Sequence, residues 1–199
     1  MNCRFLDYKM VNEVLIEKIR KFVEEECKKP DANYSNAYKF HFISMHKIAK
    51  ELAEKFSADV EVVEIAAWLH DIGAIVDGRE NHHITGALIA EEKLRKLNYS
   101  EKNIEKVKEC ILNHRGSKEG ENKRLSIESK IIAEADVLDA FDNIAKQFLV
   151  TLVYEKKSLE DAKISVLNKL KNKWNQLEFE GSKELIRSKF EAVILLFGD

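Results

Sequence analysis

A chain of 199 residues, 45% hydrophobic and 34% charged, has the composition of a soluble globular protein, long enough to bury one core and short for two. Its formal net charge of -2 supplies no global positive field, which argues against nucleic acid as a partner. No apolar run approaches the length of a membrane span and the N-terminus lacks the apolar core of a signal peptide, so a cytoplasmic protein with no membrane partner is expected.

One proline and seven glycines, set against abundant Lys, Glu, Leu, Ile and Ala, favour long helices over a turn-rich sheet. The expected fold is all-α, a single helical domain over residues 1–199. A first helix is predicted over about 8–28, stopped by Lys29-Pro30 because proline disfavours helix in the residue before it. From about Ser35 to Phe56, His41, Met45, Ile48, Ala49 and Leu52 recur at helical spacing; His41 shares the core stripe and His46 does not. The next helix opens near Ser57 to Asp59, both good N-cap types, and turns Val63, Ala66, Ala67 and His70 to one face.

That helix ends in Trp68-Leu69-His70-Asp71-Ile72-Gly73. A carboxylate beside an imidazole at the end of a run that should be core is hard to explain as packing, because a buried charge costs several kcal/mol unless a cation or hydrogen bonds compensate it. A polar loop from Ala74 to Asn81 follows, carrying Asp77, Gly78, Arg79 and Glu80, and then His82-His83. Thr85 is predicted to cap a helix to about Leu97, leaving both histidines outside its N-terminus and His82 as a surface residue or a neighbour of the ligands.

Ser100 opens a helix whose stripe Ile104, Val107, Ile111, His114 ends at Gly116. Residues 117–124 read as a charged loop, either solvated or a mobile flap over a site. From about Ser126, Ile132, Ala133, Asp136, Ala140 and Ile144 lie on or near one face, so Asp136 occupies a position where Leu would be expected. Ser158-Leu159-Glu160-Asp161 resembles a capping box and starts a helix to about Phe179; Gly181-Ser182 separates it from a final, structural helix. Trp68, Trp174, Phe42, Phe141 and Phe148 read as core. Cys3, Cys27 and Cys110, widely spaced and without a CxxC pair, read as reduced thiols.

His41, His70-Asp71 and Asp136, each on the inner side of its own helix, resemble the motif of the HD superfamily of metal-dependent phosphohydrolases over about residues 34–145. The phrases 66–73 and 133–140 carry the likeness, and His41 with Ala49, Leu52 and Ala53 matches the spacing around the family's first histidine. Residues 158–197 would pack on that core as C-terminal helices. The resemblance implies that His41, His70, Asp71 and Asp136 hold a divalent cation, one of Mn, Fe, Co, Ni, Mg or Zn. Family branches with two metals add histidines in the interval where His83 and His114 stand. These two would be further ligands in a site with two cations bridged by Asp71, or phosphate-binding and proton-transfer groups in a site with one.

Such a cation polarises a phosphoryl oxygen and lowers the pKa of water toward about 7, with Asp71, His83 and His114 as the catalytic set. Lys47, Arg79, Arg115 and Lys130 are candidates for neutralising phosphate. Many relatives have Arg three residues after the first histidine, where this chain has Ser44, so a cationic contact to substrate or to a carboxylate is either missing here or supplied by Lys47, Arg79 or Arg115. The expected activity is hydrolysis of a small phosphoester or phosphoanhydride, with nucleotides the substrate class that the superfamily suggests. A di-iron oxygenase and a noncatalytic metal- or ligand-binding module are the alternatives, and a homodimer is compatible with each.

Overall fold

The computed structural model describes residues 3–115 and 123–198, and every regular element among them is helical. The expected loop or flap at 117–124 falls largely outside the described residues. Helix α1 (Cys3–Lys28) ends just before Lys29-Pro30. A π-helical turn, Tyr38–Phe42, runs directly into α2 (Ile43–Lys55) and carries His41. Such wide turns are uncommon and recur at functional sites.

Asp59 caps α3 (Val60–Leu69), its carboxylate accepting from the Val62 amide. The chain breaks helix at His70-Asp71 and resumes as α4 (Ile72–Asp77). This short helix replaces the first part of the loop expected over 74–81: Ile72, Ala74 and Ile75 are buried, and the backbone and side-chain amides of Asn33 both donate to the Ile75 carbonyl. Gly78 then takes a positive φ of 88°, which a residue with a Cβ would resist.

Helix α5 (His82–Lys96) starts earlier than Thr85. Asn81 occupies the N-cap position and its carbonyl accepts from the Ile84 and Thr85 amides, while the Thr85 hydroxyl donates to Asp77 instead of capping. Helix α6 (Glu101–Asn113) and α7 (Ile127–Asp142) are capped by Ser100 and Ser126. Asn143 caps α8 (Ile144–Leu149), which passes into a second π-helical turn, Val150–Tyr154.

Ser158 caps α9 (Leu159–Gln176) as expected; α10 (Glu180–Phe197) begins before Gly181-Ser182, which lie inside its first turn rather than between helices. A core of buried residues runs from Ile19 to Val193 and centres on α3, where Ile65, Leu69 and the following Ile72 are fully buried. Each such side chain contributes about 1.5–3 kcal/mol over its exposed state. Helix α3 packs against α1, α2, α6 and α7, so the chain break at its end is held from several sides.

Candidate metal centre

Asp71 sits at the break between α3 and α4, where its side chain leaves the helical stack and meets imidazoles from three other segments. Two groups of possible ligands share it: His41, His70 and Asp71, and Asp71, His82 and His114, the donor atoms within each group lying within 4.8 Å of one another. In the first, His41 Nε2 is 3.0 Å from His70 Nε2 and 3.6 Å from Asp71 Oδ2. Asp136 Oδ1 approaches His41 Nε2 to 3.8 Å, while its other oxygen accepts from the Lys173 ammonium. In the second, His82 Nε2 and His114 Nε2 lie 3.1 and 3.4 Å from Asp71 Oδ1 and 3.2 Å from each other.

Protonation makes this geometry informative. His70 Nδ1 donates to the Ala67 carbonyl at 2.9 Å, His82 Nδ1 to that of Arg79 at 2.8 Å and His114 Nδ1 to that of Ile111 at 2.6 Å. A carbonyl can only accept, so a proton is assigned to each Nδ1 and each ring turns its Nε2 toward the centre. His41 follows the same rule, its Nδ1 donating to Asp139 Oδ2 at 2.6 Å. Burial pushes the His70 imidazolium down to about 3 and also lowers His41, with Lys146 adding to it, so both rings are neutral at ordinary pH.

Burial works to raise Asp71 and Asp136, but the surrounding imidazoles outweigh it for Asp71, and Lys173 and His41 outweigh it for Asp136; both are held well below the usual carboxylate range. Four imidazole Nε2 atoms and two carboxylates therefore converge. Inserted cations resolve that arrangement, and the donor set fits them.

His83, expected as the extra ligand, lies outside both groups, and its neighbour His82 takes the place. His82 is 2% exposed and falls on the buried stripe of α5 with Gly86, Ala90 and Leu94, at i, i+4, i+8 and i+12. Starting the helix at Thr85 hides that periodicity. A close approach delivers the residue: a Cβ on Gly73 would stand 2.1 Å from the His82 carbonyl oxygen and 2.6 Å from the Gly86 amide. Only glycine at 73 lets the start of α5 lie against the Asp71 break.

Asp139, one turn beyond Asp136, is fully buried and orients His41; it also accepts from the Ser44 hydroxyl and pairs with the Lys146 ammonium. The cation beside Ser44 and Asp139 is thus Lys146 of α8, whereas Arg79 and Arg115 lie at the cavity. Burial lowers the Lys146 ammonium to about 7. Its inward direction has no mark in the sequence, where one lysine in a mixed stretch reads as solvated.

The centre forms the floor of a cavity of about 550 Å³. Arg79 and Arg115 line it; Lys47 is exposed on α2 and does not, and Lys130 instead meets Glu178 at 3.4 Å. Lys146, Lys157, Lys169 and Lys173 complete a wall of six cationic side chains facing three carboxylates, Asp71, Asp136 and Glu155. Such a cavity favours an anion.

The HD-domain family model matches residues 38–140. A tRNA (cytidine(56)-2'-O)-methyltransferase of Picrophilus torridus is 30% identical over 138 residues, which span 63% of this chain and 38% of that protein's length. The crystal structure of Bacillus subtilis YpgQ in complex with ADP superposes with a TM-score of 0.71 at 20% identity, covering 93% of this chain and 92% of that one. An HD-superfamily hydrolase of Bacillus thuringiensis gives 0.66 at 23% identity, covering 94% and 96%. At these identities the structural likeness is one of fold.

Proposed function

The chain belongs to the HD-domain family, and on that premise we propose that it is a metal-dependent phosphohydrolase cleaving a small phosphoester or phosphoanhydride, with a nucleotide as the substrate class. The observation that carries this reading is the pair of ligand groups sharing Asp71 at the floor of a cationic cavity. His41, His70, Asp71 and Asp136 would hold one divalent cation, and His82, His114 and Asp71 a second. Bound there, the cations would supply Lewis-acid charge for a phosphoryl oxygen and lower the pKa of water.

The rest of the work falls to side chains. Asp139 holds the proton on His41 Nδ1 and so keeps Nε2 turned to the centre. Backbone carbonyls fix His70, His82 and His114 in the same way. Lys173 fixes Asp136 through one oxygen and leaves the other facing His41. Arg79 and Arg115 line the cavity and present charge to a phosphate. The cavity volume matches the range typical of small-molecule sites, and the same fold accommodates ADP in the YpgQ complex.

The test is metal analysis together with a panel of phosphate compounds, run with Mn, Mg, Co and Ni on the wild type and Asp71→Ala. Phosphate release by the wild type, with both metal and activity lost in the variant, is expected. Unchanged activity in Asp71→Ala, or O₂ consumption by iron-loaded protein with no phosphate released from any compound, would overturn the proposal.

A further inference from the structure

Helix α9 presents two stripes. Ala162, Val166, Leu167 and Leu170 are buried on the core side. Beside them Ser165, Asn168, Lys169, Asn172, Lys173 and Gln176 line the cavity, at i, i+3, i+4, i+7, i+8 and i+11. This helix therefore builds a polar wall opposite the centre, and the wall has a direction. Lys173 is committed to Asp136. Lys169, one turn earlier and about 6 Å back along the axis, meets no carboxylate within ion-pair distance among the described residues.

Arg79, from the loop between α4 and α5, lines the same cavity and likewise has no carboxylate at ion-pair distance among the described residues; its guanidinium lies 5.9 Å from the Tyr34 ring centroid at the cavity wall. Burial first, then the charges of Arg79 and Lys173, lower the Lys169 ammonium to about 7, against the weaker pull of Asp136 and Asp71. Glu155, whose carboxylate feels both charges, is already bonded to Lys157, so a further anion entering beside Arg79 and Lys169 is favoured.

Resting on the phosphohydrolase reading above, we propose that Lys169 and Arg79 form a second anion subsite, which holds the phosphate next to the one being attacked. The substrate is then a phosphoanhydride with two or more linked phosphates rather than a simple monoester. Water adds to the phosphorus at the His/Asp centre and the bridging P–O bond breaks. The electron pair leaves with the phosphate held at Lys169 and Arg79, and the water's proton passes to solvent. Arg79 links the two regions directly, because its own carbonyl holds His82.

The experiment titrates the full chain calorimetrically with orthophosphate and with tripolyphosphate. EDTA is present so that the probe neither turns over nor strips metal. Tripolyphosphate should bind more tightly than orthophosphate to the wild type. Lys169→Met should lose about tenfold or more of its tripolyphosphate affinity, the worth of a charge-assisted contact, with orthophosphate little changed. Lys47→Met, on the exposed face of α2, should alter neither, and Arg79→Gln carries the same comparison should Lys169→Met fail to fold.

Equal affinity of the wild type for the two probes, or an unchanged tripolyphosphate affinity in both variants, would overturn the subsite. A Mn-loaded arm separates this from the parent reading. If monoesters are hydrolysed and the ratio of tripolyphosphate to monoester kcat/KM is the same in Lys169→Met, the subsite fails while the hydrolase stands. If nothing is hydrolysed but the probe difference persists in the wild type and vanishes in the variant, the anion subsite stands and the hydrolase fails.

Discussion

His82 and His83 are adjacent in sequence and differ in everything that governs coordination. His82 has its Nδ1 proton fixed by the Arg79 carbonyl and its Nε2 turned toward Asp71. The His83 ring contacts His82 edge-on, at 5.8 Å between centroids, and belongs to neither ligand group. His82→Ala should therefore bind one metal equivalent fewer than the wild type, whereas His83→Ala should keep the full complement; elemental analysis of both purified variants checks this. The reverse pattern would return the second ligand to His83. At this scale the sequence singled out His41, His70, Asp71, Asp136 and His114, which lie together at the centre. It did not resolve Asp139, Lys146, Lys169 or Lys173, whose roles arise from neighbours distant in sequence: Asp139 meets His41 from 98 residues away.

Helices were legible where periodicity was strong and a capping side chain was present. Asp59, Ser100, Ser126 and Ser158 all accept from amides in the first turns of their helices. Three starts that escaped lack such caps: α4 begins at Asp71, α5 at Asn81 and α10 at Phe179, none with a side-chain cap bond. These starts are fixed by tertiary contact, with the α4/α5 contact through Gly73 as the clearest case. Adding a methyl group there drives it into backbone, which cannot swing aside as a long side chain would. Gly73→Ala should lower stability by about 1–3 kcal/mol or more and displace His82, so thermal melting should fall and the second metal equivalent should be lost. Retention of both would mean that α5 reaches Asp71 by some other constraint.

On the scale of the whole molecule, the two ligand groups tie together the turn before α2, the α3/α4 break, the start of α5 and the end of α6, with Asp136 of α7 beside them. The cationic α9 wall closes the cavity over them. The all-helical class followed from composition and stripe spacing, yet the α9 wall did not. A polar stripe facing a cavity has the same pattern as one facing water, and only the placement of α8 and α9 distinguishes them. Among the described residues no helix is long and apolar enough to cross a membrane. The account as a whole depends on Asp71 serving two cations at once. Anomalous diffraction from Mn-soaked crystals tests this most directly. Two peaks are predicted, one among His41, His70, Asp71 and Asp136 and the other among Asp71, His82 and His114. No peak at either group, or a single peak that leaves His82 and His114 uncoordinated at saturating Mn, would contradict it.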